Sequence, residues 1–527
     1  MALLSIFSRN DIWKTGEFFK PWDPSHPSIF DHISALQSQD EDPNGPDLPD
    51  EARFNEGNAI RFVSGAMDNL IGATDEDAAE VVKSIRQVLK NPSETNTGKL
   101  YHLLKEDGAI GTVDDALSLI SQNPPPAERF VLLFDWLARC SPDREPVKFA
   151  IAMLGILDGD NFKEMFLTLG AHEEFTKFAG VALANSLPEN EAFQAQVQLA
   201  HAVKGWGRVD LVERLAPNGD DAFRHWLVRD GFQNAIMDEY LAYIAATEGR
   251  LLEQLSTENA GSDEALIDGA AGIFIALVAG GPAEDMSDYA DGATAAFRWF
   301  DLIEDRPATL LCAFAAKSLR SYAEEPGGPE HWPATAAAKL RERATLYLKK
   351  PALGVLVPEQ IRTDSGSEFW LAKELAPDVG IDPWPMILEL QKSHSGEEYW
   401  YDLMRTDDPD RIDQVIALAS DLLPLDEIAA GPADEMGLGP EWRHHSALDF
   451  IVQDLDRFPG KGWLLIAAAL QSPLLRNRNM AAKALKVWSK TDWPPEALQL
   501  IRQAIRQEPT DELKATLESL LGPELSS

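Results

Sequence analysis

The stretch DEDPNGPDLPDE, residues 40–51, has the residue types and the spacing of a calcium loop. An EF-hand places oxygen ligands at loop positions 1, 3, 5 and 12, and a glycine at position 6 where the chain turns around the ion. Asp40, Asp42, Asn44 and Glu51 hold those ligand positions, and Gly45 holds the turn. Other residues oppose the metal. Asp47 stands at position 8, where an apolar residue normally pairs two loops, and Pro43, Pro46 and Pro49 fix three backbone angles. No second loop of this pattern follows. The plainer expectation is a solvated acidic linker, with calcium binding through Asp40, Asp42, Asn44 and Glu51 as the alternative.

Three further constellations deserve weighing. HEEFTK, residues 172–177, opens like the zinc motif HExxH, but Thr176 stands where the second histidine is required, so no metal is expected there. In WRHHSALDF, residues 442–450, His445 and Asp449 lie one helical turn apart with His444 beside them. That spacing could seat a metal or pair an acid with a base. Capping or hydrogen bonding between helices is the simpler role, since no third ligand is near in sequence. Residues 203–249 are the most distinctive. Trp206 and Arg208 open one helix, Trp226 and Arg229 close the next, and Glu239 and Tyr243 share one face of a third. They form either a binding surface with Arg208, Arg229 and Glu239 as polar contacts, or a packing unit of interhelical aromatics and glycine turns. Packing is the default. No GxGxxG after a strand, P-loop, GxSxG elbow or cysteine-centred haem signature is present. No cofactor is expected, no catalytic residue is assigned, and the balance leans away from an enzyme.

The elements that would position these residues are helical. In TDEDAAEVVKSIRQVLKNP, residues 74–92, Thr74 and Asp77 resemble a capping box; Val81, Val82, Ile85, Val88 and Leu89 recur at helical spacing, and Asn91-Pro92 ends the run. Residues 126–157, 173–186 and 306–325 repeat the form, and strand patterning is hard to find. The clearest pair of helices is WLLIAAALQSPLLRNRNMAAKALKVW, residues 463–488: an apolar helix ending near Ser472-Pro473, then one from about Leu475 carrying Arg478, Ala481, Ala482 and Leu485. A basic residue, paired small residues and then leucine resemble the second helix of a HEAT repeat. Lys514, Leu517 and Leu521 follow 36 residues after Arg478, Ala481 and Leu485. The expected fold is therefore all-α, an α-α superhelix of stacked, HEAT-like hairpins, with an irregular multi-helix domain as the alternative.

An aromatic N-terminal arm is expected to pack Trp13, Phe18, Phe19 and Trp22 onto this body. Turn residues cluster at 37–51, 324–333 and 426–442. They suggest an arm and acidic linker over 1–51, a helical region over 52–325, and a C-terminal helical region over 326–527 with HEAT-like units at 463–521.

Charge narrows the partners. Of the 527 residues 86 are acidic and 47 basic, a net charge of −39 that repels nucleic-acid phosphates and anionic membranes, although a local basic patch is compatible with it. Cys140 and Cys312 alone make no disulfide framework and no cysteine-rich zinc site. The longest uncharged run, residues 269–281, is far short of the ~20 residues of a membrane span. The start, MALLSIFSRNDIW, has too short an apolar run for a secretory signal. A cytoplasmic protein is expected, with a basic protein or peptide as partner and neither nucleic acid nor membrane.

GWGRVDLVERL (205–215), GFQNAIMDEYLAY (231–243) and DIWKTGEFFKPWDP (11–24) resemble a bacterial family of helical-repeat proteins, some of which carry the label limonene hydroxylase. The resemblance implies a helical-repeat fold and, through that label, monoterpene hydroxylation. Hydroxylation by oxygen needs haem, flavin, copper or non-haem iron, and no motif for any of them stands in this sequence.

Overall fold

The computed structural model describes residues 9–39, 41–54, 63–66, 68, 78–106, 109–157, 160–325, 332–363, 366–394, 399–437 and 439–521. The fold is all-α. Among the described residues no β-strand forms, and one isolated bridge joins Glu435 to Leu474. Apolar residues at helical spacing set the elements. Helix Ala78–Lys90 buries Val81, Val82, Ile85, Val88 and Leu89, the residues that predict it, and stops before Asn91 and Pro92. Pro92 has no N–H to continue the ladder. Thr74 and Asp77, read as its cap, lie outside the described residues. None of the described helices is long and apolar enough to cross a membrane.

Contacts divide the chain into two units: residues 1–306 with 318–344, and residues 307–317 with 345–527. Residues 326–331, in the stretch read as a central boundary, lie outside the described residues.

In the first unit, helix Arg144–Leu154 packs on Glu173–Ser186, which packs on Trp206–Leu215, then Glu239–Thr247, then Glu264–Ala279. A second row runs alongside through Ala127–Cys140, Ile29–Ser38, Lys163–Gly170 and Glu189–Ala202. Hairpins therefore stack layer on layer, as in an α-α superhelix. Glycine sets the closest approach. A Cβ on Gly180 would sit 2.8 Å from Leu211 Cδ2, and one on Gly207 would sit 2.6 Å from Thr176. Any larger residue at either position pushes two layers apart.

The N-terminal aromatics pack into this unit. Trp13 meets Phe18 edge-on at 5.4 Å, Phe18 meets Trp136 at 5.0 Å, and Trp22 lies 5.2 Å from Trp136 and 4.7 Å from Tyr101. Phe19 corrects the expected grouping, being 45% exposed. Phe18 and Phe19 are consecutive in a non-helical segment, and Phe18 alone of the two is turned to the core.

In the second unit, the C-terminal hairpins form where the pattern puts them. Trp463–Leu470 pairs with Leu475–Val487, and Ala497–Gln507 pairs with Asp511–Leu521. First helix packs on first helix and second on second, which is stacking in register. Ala481, Ala482 and Leu485 are buried between the layers, as are Leu517 and Leu521. Burying one leucine fully contributes about 1.5–3 kcal/mol.

Candidate functional site

The densest chemistry in the molecule is a seam of buried charge along the starts of successive helices in the first unit. Helix Arg144–Leu154 reads REPVKFAIAML, with Arg144 and Lys148 one turn apart, and only Glu145 charged besides, on a mostly apolar element. Arg144 Nε donates to Asp50 Oδ2 at 3.0 Å, and Nη2 to Asp50 Oδ1 at 3.0 Å and Glu51 Oε2 at 2.6 Å. Its backbone N–H adds a bond to Asp50 Oδ2 at 2.9 Å. Lys148 is 1% exposed at its side chain, and its ammonium reaches Asp68 and Glu174 at 2.7 Å and Glu145 at 2.9 Å. Three donors meet three acceptors, so the ammonium is fully satisfied.

The next layer supplies the other side. His172, Glu173 and Glu174 open helix Glu173–Ser186, and all three are buried. His172 caps it, with Nδ1 accepting from the Glu174 N–H at 3.1 Å. Burial lowers the His172 pKa to about 4, so the imidazole is neutral. Burial opposes the Glu174 charge, yet Lys148 and Arg144 hold its carboxyl down at about 2. Burial also opposes the Lys148 charge, but Glu145, Glu174 and Asp68 keep its pKa above the usual lysine range. Burial raises Asp68, against the pull of Lys148.

Glu173 extends the seam to the third layer. Oε1 accepts from the Lys204 N–H at 2.7 Å and the Gly205 N–H at 2.5 Å, and Oε2 accepts from the Gly207 N–H at 2.7 Å. Gly205, the N-cap of Trp206–Leu215, has no side chain to cap the helix, and this carboxylate from the neighbouring layer replaces one. Arg208 then donates through Nε to the carbonyls of Val203 at 2.7 Å and Ala200 at 3.2 Å, and through Nη1 to Gln233 at 2.8 Å. It ties the end of one helix to the following turn. Every charge in the seam is opposed or hydrogen-bonded, and Lys148 is held as an ammonium rather than a free amine. The arrangement fixes helices; it does not present a nucleophile or a poised base.

The acidic loop belongs to the same seam, which corrects the expectation of a solvated linker. Leu48 and Asp50 are buried, at 4% and 3% exposure, because Asp50 and Glu51 are the counter-charges of Arg144. Asn44 Oδ1 accepts from the Glu173 N–H at 2.8 Å, its Nδ2 donates to the Ala171 carbonyl at 3.1 Å, and Asp42 Oδ1 accepts from the Asn44 N–H at 2.9 Å. Asp40 lies outside the described residues. Among the described residues no group of three His, Cys, Asp or Glu is placed to hold a metal ion.

The residues suggested as a binding surface fare unevenly. Trp206 and Arg208 are buried, Trp206 edge-on to Tyr240 at 5.2 Å, so neither forms an exposed surface. Their glycine-rich turn brings them inward onto the seam. Trp226 lies 4.2 Å from the His201 ring and donates through Nε1 to Asp230. Arg229 donates to Asp263 at 2.7 Å and Gln254 at 2.6 Å, and lines an open polar cavity of about 870 Å³ with Arg224, Glu258 and Asp263. Tyr243 lines an adjoining cavity of about 570 Å³, and Arg250 and Glu253 border both. Arg250 has φ 54°, the left-handed region that non-glycine residues rarely occupy. Glu239 is half-buried at the start of its helix. A further cavity of about 870 Å³ reaches Asn44, Glu173, Gly205 and Ile236, above the seam.

In the second unit His445 and Asp449 share helix Arg443–Val452 but do not bond to each other. Asp449 pairs with Arg476, and burial still pushes its carboxyl up to about 6. His445 stands edge-on to Trp442 at 4.9 Å, and burial lowers its pKa. Beyond them, Arg478 holds Glu508 through two bonds of 2.8 and 2.9 Å, both side chains being buried.

Asp68, Arg144, Lys148, His172, Glu173 and Glu174 were not singled out as a site from the sequence. HEEF reads as a failed metal motif by its spacing, whereas its glutamates serve helix capping and charge compensation. The available signal was the pair Arg144 and Lys148, one turn apart on a mostly apolar helix. No family model, no curated protein and no solved structure matches this chain.

Proposed function

We propose that this chain is a non-catalytic protein-binding scaffold, an acidic α-α superhelix with HEAT-like C-terminal repeats, whose partner is a basic protein or peptide. The observation that carries the reading is where the charge lies. Among the described residues the core holds four cations and seven carboxylates, so it accounts for only three of the chain's 39 net negative charges. Such a field steers a basic partner and sets its salt dependence, while stacked hairpins supply an extended face. The buried seam supports the same reading, because its ionisable groups are occupied in holding helices together. Neutralisation of a basic toxin-like partner would be one form of this role.

The test begins with capture of partners from the native lysate at low salt, elution by a salt step, and titration of the purified candidate. The proposal expects a basic partner, stoichiometric binding, and affinity that falls steeply with salt. A partner that is acidic, or binding indifferent to salt, contradicts it.

A further inference from the structure

One shallow cavity of about 460 Å³ carries the opposite charge to the rest of the molecule. Its long wall is helix Ala78–Lys90, which presents Ala79, Val82, Lys83, Arg86, Gln87 and Lys90 along one face. Leu119, from helix Ala109–Ser121, forms the other wall. Among the described residues the lining holds three cations and no carboxylate, whereas the other three cavities described above each include carboxylates. Arg86 joins the walls by donating to the Leu119 carbonyl at 3.3 Å. Lys83 and Lys90 are exposed, and among the described residues no ion pair ties either down, although Glu80 lies within electrostatic reach of Lys83. Glu80, on the same helix, is held by Lys99 at 2.8 Å.

From Ala79 to Lys90 the face runs about 16 Å, at 1.5 Å per residue, the length of roughly three helical turns. We propose that this groove docks an acidic amphipathic helix of about three turns from a protein partner. Apolar residues at i, i+3 or i+4, and i+7 would seat over exposed Ala79 and half-buried Leu119, and flanking carboxylates would meet Lys83, Arg86 and Lys90. Charge complementarity selects this occupant: the molecule's net field repels acidic chains, and a local basic groove offsets that repulsion where Lys83, Arg86 and Lys90 line it. The inference is independent of the basic-partner reading and concerns a different ligand.

A display library of roughly 16-residue peptides, selected on the full chain and depleted on the chain carrying Lys83→Glu and Lys90→Glu, tests it. Both side chains are exposed, and matching thermal melts confirm that the fold is kept. Retained peptides should carry an acidic surplus around apolar residues at helical spacing. A synthetic representative should bind at least about tenfold more weakly after charge reversal, less so after Lys83→Gln with Lys90→Gln, and unchanged after Lys514→Glu. The proposal is overturned if retained peptides lack the acidic surplus or if none prefers the unaltered chain. It is equally overturned if sedimentation shows dimers that charge reversal dissolves, since the groove would then belong to a second copy.

Discussion

The two units solve the problem of buried charge in different ways. In the first, Arg144 and Lys148 face five carboxylates, Asp50, Glu51, Asp68, Glu145 and Glu174, drawn from well-separated segments. In the second, Arg478 meets Glu508 as a single bidentate pair between one hairpin and the next. The first is a surplus of negative charge whose pairs lie from 3 to 94 residues apart in sequence; the second is a neutral pair spanning 30. A neutral pair can be removed as a unit. A surplus cluster cannot, because every single change leaves charge uncompensated.

Mutations sharpen that contrast, and the largest effect is expected at Lys148. Lys148→Met strands Asp68 and takes one partner each from Glu145 and Glu174, and should cost the first unit about 3–5 kcal/mol, read as lost protection from hydrogen exchange there. Arg478→Met alone should cost a similar about 3–5 kcal/mol in the second unit, by stranding Glu508. Adding Glu508→Leu should recover most of that loss in chemical denaturation, since no buried charge remains. No such rescue is expected for Lys148→Met combined with any one carboxylate change. Glu173→Gln is smaller, about 1–2 kcal/mol, because the amide keeps one acceptor for the three N–H groups at the start of Trp206–Leu215. Its effect should be confined to exchange in that helix and its neighbours.

What the sequence discloses follows the range of each interaction. The helices, and the C-terminal hairpins above all, are legible because their signal repeats every three or four residues: Ala481, Ala482 and Leu485 are buried as their spacing predicts. Arg478 is legible as the basic residue of its repeat, but its partner Glu508 is 30 residues away and announces nothing. The seam is less legible still. Asp50 is 94 residues from Arg144, and Asp68 is 80 from Lys148, so neither pairing leaves a local pattern. Motif templates also mislead here. The acidic loop has the letters of a calcium site, yet Asn44 and Glu51 bond to Glu173 and Arg144. Trp206 and Arg208 are distinctive in sequence because Gly205 and Gly207 turn them inward, a packing cause that reads like a surface motif.

The contrast between the units is tested most directly by pH. In the first unit His172 and Glu174 both have pKa values depressed below 6.5 and 4.5, to about 4 and about 2. Their stabilisation is present above the unfolded values and is lost as pH falls through the folded ones. In the second unit Asp449 is raised from 3.8 to about 6, so its contribution is present below 3.8 and is lost as pH rises through 6. Each group contributes a slope of at most roughly 1.4 kcal/mol per pH unit. Hydrogen exchange followed by mass spectrometry between pH 6.5 and 4, corrected for intrinsic rates, reads peptides of both units in one sample. On acidification His172 lowers protection around residues 172–174, against the opposite pull of Asp68 and Glu173, whose carboxyls burial raises. Asp449 raises protection around residue 449, against His445. His172→Asn should therefore lessen the acid loss at the first place, and Asp449→Asn the gain at the second. An acid response that neither variant alters would contradict the account.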